Sequence, residues 1–363
     1  MRHQATWTVA ILAFLASLVS VGCSGGHDAT NTAASPATCL AAGRPAFSAC
    51  WELVAPLGTG GFPPERGSFD SPKWAPGRWP LTLEPVIGFN GDLWMMSQTH
   101  AWSSTDGLNW THYPKTDWGE RISQAYAFFN GRLWMFGGLR YNDRIPQNDI
   151  WSSTDGTRWT NTGNAAWSPR KAQTIIAFRN KLWLFGGADQ VKHDFSTVHA
   201  LDDVWSSDDG LRWTQATAAA AWSPREGATV VVLKDALYLL GGQGHADVWR
   251  SDDGVNWTQL SPEAEWKPRY GYGTAVFGDK LWVYGGWEGK PTNALNDVWY
   301  STDGRTWVRQ AEHAPWAPRS PRTIVYKNKV WIFSGKHTGG KDNWGGDIWT
   351  MSLAPIAQAP PRS

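Results

Sequence analysis

Asn148-Asp149-Ile150-Trp151-Ser152-Ser153-Thr154-Asp155-Gly156-Thr157-Arg158-Trp159 is the stretch on which the fold turns. Asp155-Gly156 stands between β-prone flanks. Glycine takes positive φ without steric cost, so the dipeptide predicts a tight turn between two strands. The stretch then recurs. Asp203-Val204-Trp205 leads to Asp209-Gly210 and Trp213, and Asp247-Val248-Trp249 leads to Asp253-Gly254 and Trp257. Asp297-Val298-Trp299 leads to Asp303-Gly304 and Trp307, and Trp102 leads to Asp106-Gly107 and Trp110. Asp347-Ile348-Trp349 is a truncated last copy. The leading tryptophans, 102, 151, 205, 249, 299 and 349, are spaced by 49, 54, 44, 50 and 50 residues. A period near 50 is the mark of a propeller or solenoid.

Working outward, each repeat holds four strand candidates. The first is apolar with small residues, as in Ala125-Tyr126-Ala127-Phe128. The second is a run such as Leu133-Trp134-Met135-Phe136-Gly137-Gly138, with counterparts starting at Leu93, Leu182, Leu237, Leu281 and Val330. The third and fourth flank the Asp-Gly turn. Short length, β-branched and aromatic enrichment and turn punctuation favour strands over helices.

Gly137-Gly138, Gly186-Gly187, Gly241-Gly242 and Gly285-Gly286 each end a hydrophobic strand, and a tryptophan closes each repeat. In these features the chain resembles the Kelch family, including the propeller of the galactose-oxidase type. The resemblance covers roughly residues 46–352 and implies an all-β propeller of four-stranded antiparallel blades. Six second strands are present, but only five fourth strands follow, at Trp110, Trp159, Trp213, Trp257 and Trp307. The missing one is available as Ser48-Ala49-Cys50-Trp51-Glu52-Leu53-Val54. Six blades are therefore expected, over residues 46–353, closed by an N-terminal strand in the last blade and followed by a tail at 354–363. Closure of this kind removes an open sheet edge.

The bulk numbers bound the function. Lys and Arg total 33 against 32 Asp and Glu, a net charge of +1, which gives no global case for nucleic acid as a partner. Arg2 and His3 precede an apolar run from Trp7 to Val21. Its length suits a secretory signal, where a bilayer span needs ~20 residues. Val21-Gly22-Cys23 resembles a bacterial lipobox, with Cys23 as the lipidated residue; an ordinary cleaved signal is the alternative. Residues 1–22 are thus read as a lipoprotein-type signal peptide and 23–45 as a flexible tether. The expected location is the bacterial cell envelope, periplasm or outer membrane, with a lipid anchor as the sole membrane contact. Cys39 and Cys50 form an even pair in an oxidising compartment, which points to a disulfide; two free thiols or a metal pair are the alternatives.

A second ring of repeats precedes each first strand. Trp167-Ser168-Pro169-Arg170, Trp222-Ser223-Pro224-Arg225, Trp266-Lys267-Pro268-Arg269 and Trp316-Ala317-Pro318-Arg319 match, and Trp118-Gly119-Glu120-Arg121 is a degenerate copy. In a Kelch-like blade these arginines encircle the channel mouth. Arg121, Arg170, Arg225, Arg269 and Arg319 then either form an anion-binding funnel, as planar guanidiniums suit carboxylate or phosphate, or pair with the repeated aspartates at 149, 203, 247, 297 and 347.

Departures from the repeat mark recognition, since variable loops on a rigid scaffold are where it resides. These loops are 57–73, 139–148 with Arg140 and Tyr141, 188–202 with His193, Asp194 and His199, 287–296 beginning Trp287-Glu288, and 336–345 with Trp344. Aromatic, amide and charged residues together suit a sugar or peptide. His193, Asp194 and His199 match no tight metal motif, and neither metal nor cofactor is expected. Copper chemistry of the galactose-oxidase kind needs a tyrosine–cysteine site that three N-terminal cysteines do not supply. Kelch-type sugar mutarotases pair an acid/base residue with a channel arginine; by that resemblance Glu120 and Glu226 are the catalytic candidates. The preferred expectation is an envelope propeller that binds a glycan, an acidic sugar or an envelope protein at its loop-rich face. The alternative is a mutarotase or epimerase on an acidic sugar.

Overall fold

The computed structural model describes residues 38–40, 47–55, 86–96, 100–114, 117–140, 142–190, 198–289, 293–337 and 347–355. The signal peptide, Cys23 and most of the tether lie outside them. The described residues fold into six antiparallel sheets. In chain order the innermost strands are Val86–Phe89, Ala125–Phe129, Thr174–Phe178, Thr229–Leu233, Gly273–Phe277 and Arg319–Tyr326. We number the blades 1 to 6 accordingly. Each innermost strand lies against the next, and Arg319–Tyr326 also lies against Val86–Phe89, which closes the ring.

Burial explains the pattern within a blade. The second strand is covered on both faces by neighbouring blades, so Leu133 to Leu139 is buried throughout and the sequence there is a continuous apolar run. The outer strand Thr160–Asn164 is exposed throughout and reads Thr-Asn-Thr-Gly-Asn. Between blades the filling is aromatic. Trp167, Trp222, Trp266 and Trp316 are at most 2% exposed. Trp167, Trp222 and Trp266 meet the outer-strand indoles Trp213, Trp257 and Trp307 edge-on, and Trp118 meets Trp159 in the same way.

The repeated turn is held from both sides. In Ser153-Thr154-Asp155-Gly156 the Gly156 N–H donates to Ser153 Oγ at 2.8 Å, and Asp155 Oδ1 accepts the N–H groups of Thr157 and Arg158 at 2.8 Å. Trp159 Nε1 donates to the Gly156 carbonyl at 3.0 Å. Gly156 has φ +77°, and a Cβ there would sit 2.6 Å from the Trp94 ring of the preceding blade. The turn is therefore also an inter-blade contact, and glycine is required twice over.

Blade 6 closes as expected. Phe47–Ala55 pairs with Ile348–Pro355, with Trp51 opposite Met351. Trp51 is 1% exposed and packs edge-on against Trp316 with ring centroids 4.6 Å apart. It holds the place that Trp213 and Trp257 hold in their blades. One element departs from expectation. The sequence predicts a tether running to residue 45, yet Thr38–Leu40 forms a fifth strand on the outer edge of blade 6. Its cause is visible in the register: Cys39 lies opposite Cys50, and Cys50 is disulfide-bonded.

Two outcomes follow for stability. Trp51→Ala should lower unfolding free energy by ~3–5 kcal/mol in urea titration, the cost of truncating a buried aromatic; an unchanged midpoint would contradict closure by this strand. The turn aspartates set the acid limit. Partial burial pulls their carboxyls up, but backbone and side-chain donors outweigh it and bring Asp106, Asp209 and Asp253 down to about 2. In the unfolded chain an aspartate titrates near ~3.9. A folded pKa below the unfolded one stabilises fully above the unfolded value, and the gain is lost as pH falls through the folded one. Melting temperature should therefore hold down to about pH 4 and fall steeply between about pH 4 and 2.

Candidate functional site

The five repeated arginines are at the channel end of the blades, but they are turned into the protein. Arg170 is 1% exposed and forks onto Asp203, Nη1 to Oδ1 at 2.6 Å and Nη2 to Oδ2 at 2.8 Å. Asp203 also accepts Trp205 Nε1 at 2.7 Å. The same triad is built from Arg225, Asp247 and Trp249, and from Arg269, Asp297 and Trp299. Arg319 pairs with Asp347 and Trp349, and Arg121 with Asp149 and Trp151. Burial raises the Asp247 carboxyl, and the Arg225 and Trp249 donors outweigh it, leaving it below the ordinary carboxylate range.

The backbone of the same arginine belongs to the blade before. Arg170 N–H donates to the Gln147 carbonyl at 3.0 Å, and the Arg170 carbonyl accepts the Gly138 N–H at 2.9 Å. Arg225 does the same to Leu201 and Gly187. Each of these two arginines thus staples its own blade to its predecessor. Of the two readings of the arginine ring, the geometry bears out pairing with the repeated aspartates and not the anion funnel. All five guanidiniums are buried and paired bidentately with a carboxylate, so they offer no fork to a ligand.

What the ring does enclose is an axial cavity of about 550 Å³. It is lined by the segments one to five residues after each of the five arginines, joined by Trp287 from the second strand of blade 5. Blades 2 and 3 contribute Gln124, Tyr126, Gln173 and Thr174; blade 4 contributes only Gly227, Ala228 and Thr229. Blade 5 contributes Tyr270, Tyr272 and Trp287, and blade 6 Ser320 and Arg322. Gln124 and Gln173 are 5% and 6% exposed. Gln173 Nε2 donates to the Phe136 carbonyl of blade 2 at 3.0 Å, and Gln124 Nε2 to Tyr126 Oη at 3.0 Å. Their Oε1 atoms are buried and accept no hydrogen bond among the described residues. A donor bonded to a carbonyl fixes which end of the Gln173 amide is nitrogen, so its free end is the acceptor. Burial pushes the Tyr272 hydroxyl up to about 12, and it donates to the Leu240 carbonyl at 2.7 Å.

The other expected residues divide between rim and surface. Trp287 is 4% exposed and joins the cavity wall. Glu226 stands at the rim beside Gly227, in an ion pair with Lys171. Glu120 is exposed and takes no part in the lining. Arg140 is tied to Asp143 at 2.7 Å, His199 contacts Asp189 at 3.2 Å, and Glu288 accepts Asn293 Nδ2 at 3.1 Å; all three are exposed. Tyr141, Trp344, His193 and Asp194 lie outside the described residues. Among the described residues no three His, Cys, Asp or Glu side chains group as metal ligands.

A family model described as the Kelch motif matches residues 268–312, which run from the end of one ring-arginine motif to the outer strand of blade 5. The chain is a six-bladed propeller that carries a Kelch motif. The solved structure of YjhT superposes with a TM-score of 0.61, covering 76% of this chain and 97% of that one. At 17% identity this likeness shows the fold alone. No curated protein resembles the chain closely enough to count as a match.

Sequence reasoning missed Gln124, Gln173, Tyr272 and Arg322 as cavity residues. The signal was present. Three residues after the ring arginine the repeats read Gln124, Gln173, Ala228, Tyr272 and Arg322, a position whose chemistry changes from blade to blade.

The staple has a measurable cost of removal. Arg170→Ala strands the Asp203 carboxylate, and removing one partner of a buried pair costs ~3–5 kcal/mol. Chemical denaturation should show a loss of that size, against under ~1 kcal/mol for the exposed pair variant Arg140→Ala.

Proposed function

We propose that this protein is a binding propeller of the bacterial cell envelope, which takes a small polar ligand into its axial cavity from the loop-rich face. The supporting observation is the axial cavity itself, about 550 Å³, walled by Gln124, Gln173, Tyr272 and Arg322 from four different blades. The cavity volume falls in the range that encloses small ligands, and its wall is mainly apolar with a few convergent polar groups. The envelope location rests on the secretory and lipobox character of residues 1–23.

Catalysis is the second function considered, because Glu226 with Lys171 puts a carboxylate and an ammonium at the cavity rim. It predicts anomeric exchange in sugar NMR spectra that Glu226→Gln abolishes.

The binding function is tested by filling the cavity. Ala228→Trp adds an indole to the wall that carries the smallest side chains. In equilibrium dialysis against envelope-derived small molecules, read by mass spectrometry, the parent protein should enrich a compound. The variant, with an unchanged circular dichroism spectrum, should lose it. No enrichment by the parent, or equal enrichment by both, would overturn the assignment.

A further inference from the structure

We infer that the axial cavity holds a subsite for a secondary amide, between Gly271 of blade 5 and Gly227 of blade 4. This rests on the cavity being a ligand site, and it names the group bound there. Around the axis, the residue two places after each ring arginine carries a backbone rung from blade to blade. Ser123, Ala172, Gly227 and Gly271 all adopt left-handed backbone there, with φ of 57°, 52°, 67° and 62°. The Ala172 N–H donates to the Ser123 carbonyl at 2.8 Å, and the Gly227 N–H to the Ala172 carbonyl at 2.9 Å. In blade 6 the place is taken by Pro321, which has no N–H to give. The Ser320 hydroxyl donates to the Gly271 carbonyl instead.

One rung of this series is missing. Between blades 4 and 5 the Gly271 N–H and the Gly227 carbonyl make no hydrogen bond, with each other or with any other described residue. Both residues line the cavity, Gly227 exposed and Gly271 half-buried, so both are within reach of a ligand. The surroundings of the gap are unequal. A Cβ on Gly227 would meet nothing within 4 Å, while one on Gly271 would lie 3.4 Å from Cδ1 of the Trp287 indole. Blade 4 thus leaves open space, and blade 5 walls it with Trp287, Tyr270 and Tyr272.

A donor, an acceptor and an aromatic surface therefore stand together. A secondary amide answers all three. Its carbonyl accepts from Gly271, its N–H donates to Gly227, and its acyl methyl packs on the aromatic wall. Donor and acceptor lie on opposite edges of one rigid plane, which is what a lost backbone rung calls for. An ester has the acceptor and lacks the donor. A hydroxyl supplies both functions from one atom and brings no apolar body to the indole. The group so bound is neutral; it sets no limit on charge elsewhere in the ligand.

Isothermal titration calorimetry on the purified protein tests this with matched pairs. N-acetyl-D-glucosamine is set against D-glucose, and the methyl ester of N-acetyl-L-alanine against that of O-acetyl-L-lactate, which separates sugar and peptide-like sources of the amide. At least one acetamide should bind about tenfold or more tightly than its counterpart, as expected when a hydrogen-bonding site meets a ligand lacking the group. NMR reads the subsite directly. With isotope-labelled tyrosine carbonyls and glycine amides, only Gly271, Gly273 and Gly285 follow a tyrosine and are detected. The acetamide that binds should move the Gly271 amide proton downfield and slow its exchange with solvent. Gly227→Asn keeps a residue that tolerates left-handed backbone and adds a side chain to the wall beside the gap. It should weaken the acetamide about tenfold at an unchanged melting temperature. Gly227→Ala, which repeats Ala172 of the neighbouring blade, should keep the fold and lose less. Equal binding within both pairs, a Gly271 amide unmoved by the acetamide that binds, or full affinity in Gly227→Asn would overturn the inference. If the dialysis experiment yields a cavity ligand but neither acetamide binds, the amide subsite fails while the binding function stands. If neither experiment finds a ligand, both fail.

Discussion

A buried guanidinium between two blades is the interaction on which this propeller depends. A ring of sheets has no covalent reason to stay closed, and apolar packing between blade faces is tolerant of sliding. The arginine fork is not. At Arg170 and Arg225 its backbone is hydrogen-bonded to one blade, and its side chain meets a carboxylate and a glycine carbonyl in the next. Planar, bidentate geometry sets both distance and orientation. Since a buried ion pair seldom adds much net stability over apolar packing, its contribution is register: it fixes where each blade stands relative to its neighbour. The tryptophans then fill the gap so defined. The indole nitrogens of Trp118, Trp167, Trp222, Trp266 and Trp316 are buried with no acceptor among the described residues. Every one of these indoles sits in the arginine motif, so the exception repeats with the repeat.

This division of labour explains the cavity. Because the staple uses the arginine, its neighbours one to three residues later are released from structural duty at the axis. Blade 4 spends them on Glu226, Gly227 and Ala228, and blade 5 on Tyr270, Gly271 and Tyr272. Some still support the ring: Gln173 and Tyr272 each reach a backbone carbonyl of the preceding blade. Tyr272 does this with its hydroxyl and Gln173 with its amide nitrogen. The same mechanical need therefore produces different chemistry around one opening.

Almost all of the fold was legible because each blade must solve one packing problem, and the solution is written repeatedly. The count of outer strands alone places Trp51 in blade 6. The fifth strand at Thr38–Leu40 was not legible, since three residues carry no period and depend on the cysteine register. The arginines were found at the correct end of the blades, but sequence could not say which way they point. That depends on Asp203 and its equivalents, 22 to 33 residues away. Gln173 escaped notice for the opposite reason: one polar residue between apolar strands is ordinary until the ring shows five such positions, among the described residues, around one cavity.

The closing strand has a consequence in time. Trp51 pairs with Met351, so a chain made from its N-terminus holds the first piece of the last blade for 300 residues before its partners exist. Five blades can be assembled while the ring is still a horseshoe, with Trp316 facing an empty slot. Non-local pairing of this reach is slow, and an unpaired edge is open to other chains meanwhile. A hairpin of Thr38–Leu40 with Phe47–Ala55, stitched at Cys50, keeps one side of that waiting strand occupied. Seen this way, the extra strand keeps the outer edge of the closing strand paired, so that the clasp has one open side, the one that meets Ile348–Pro355.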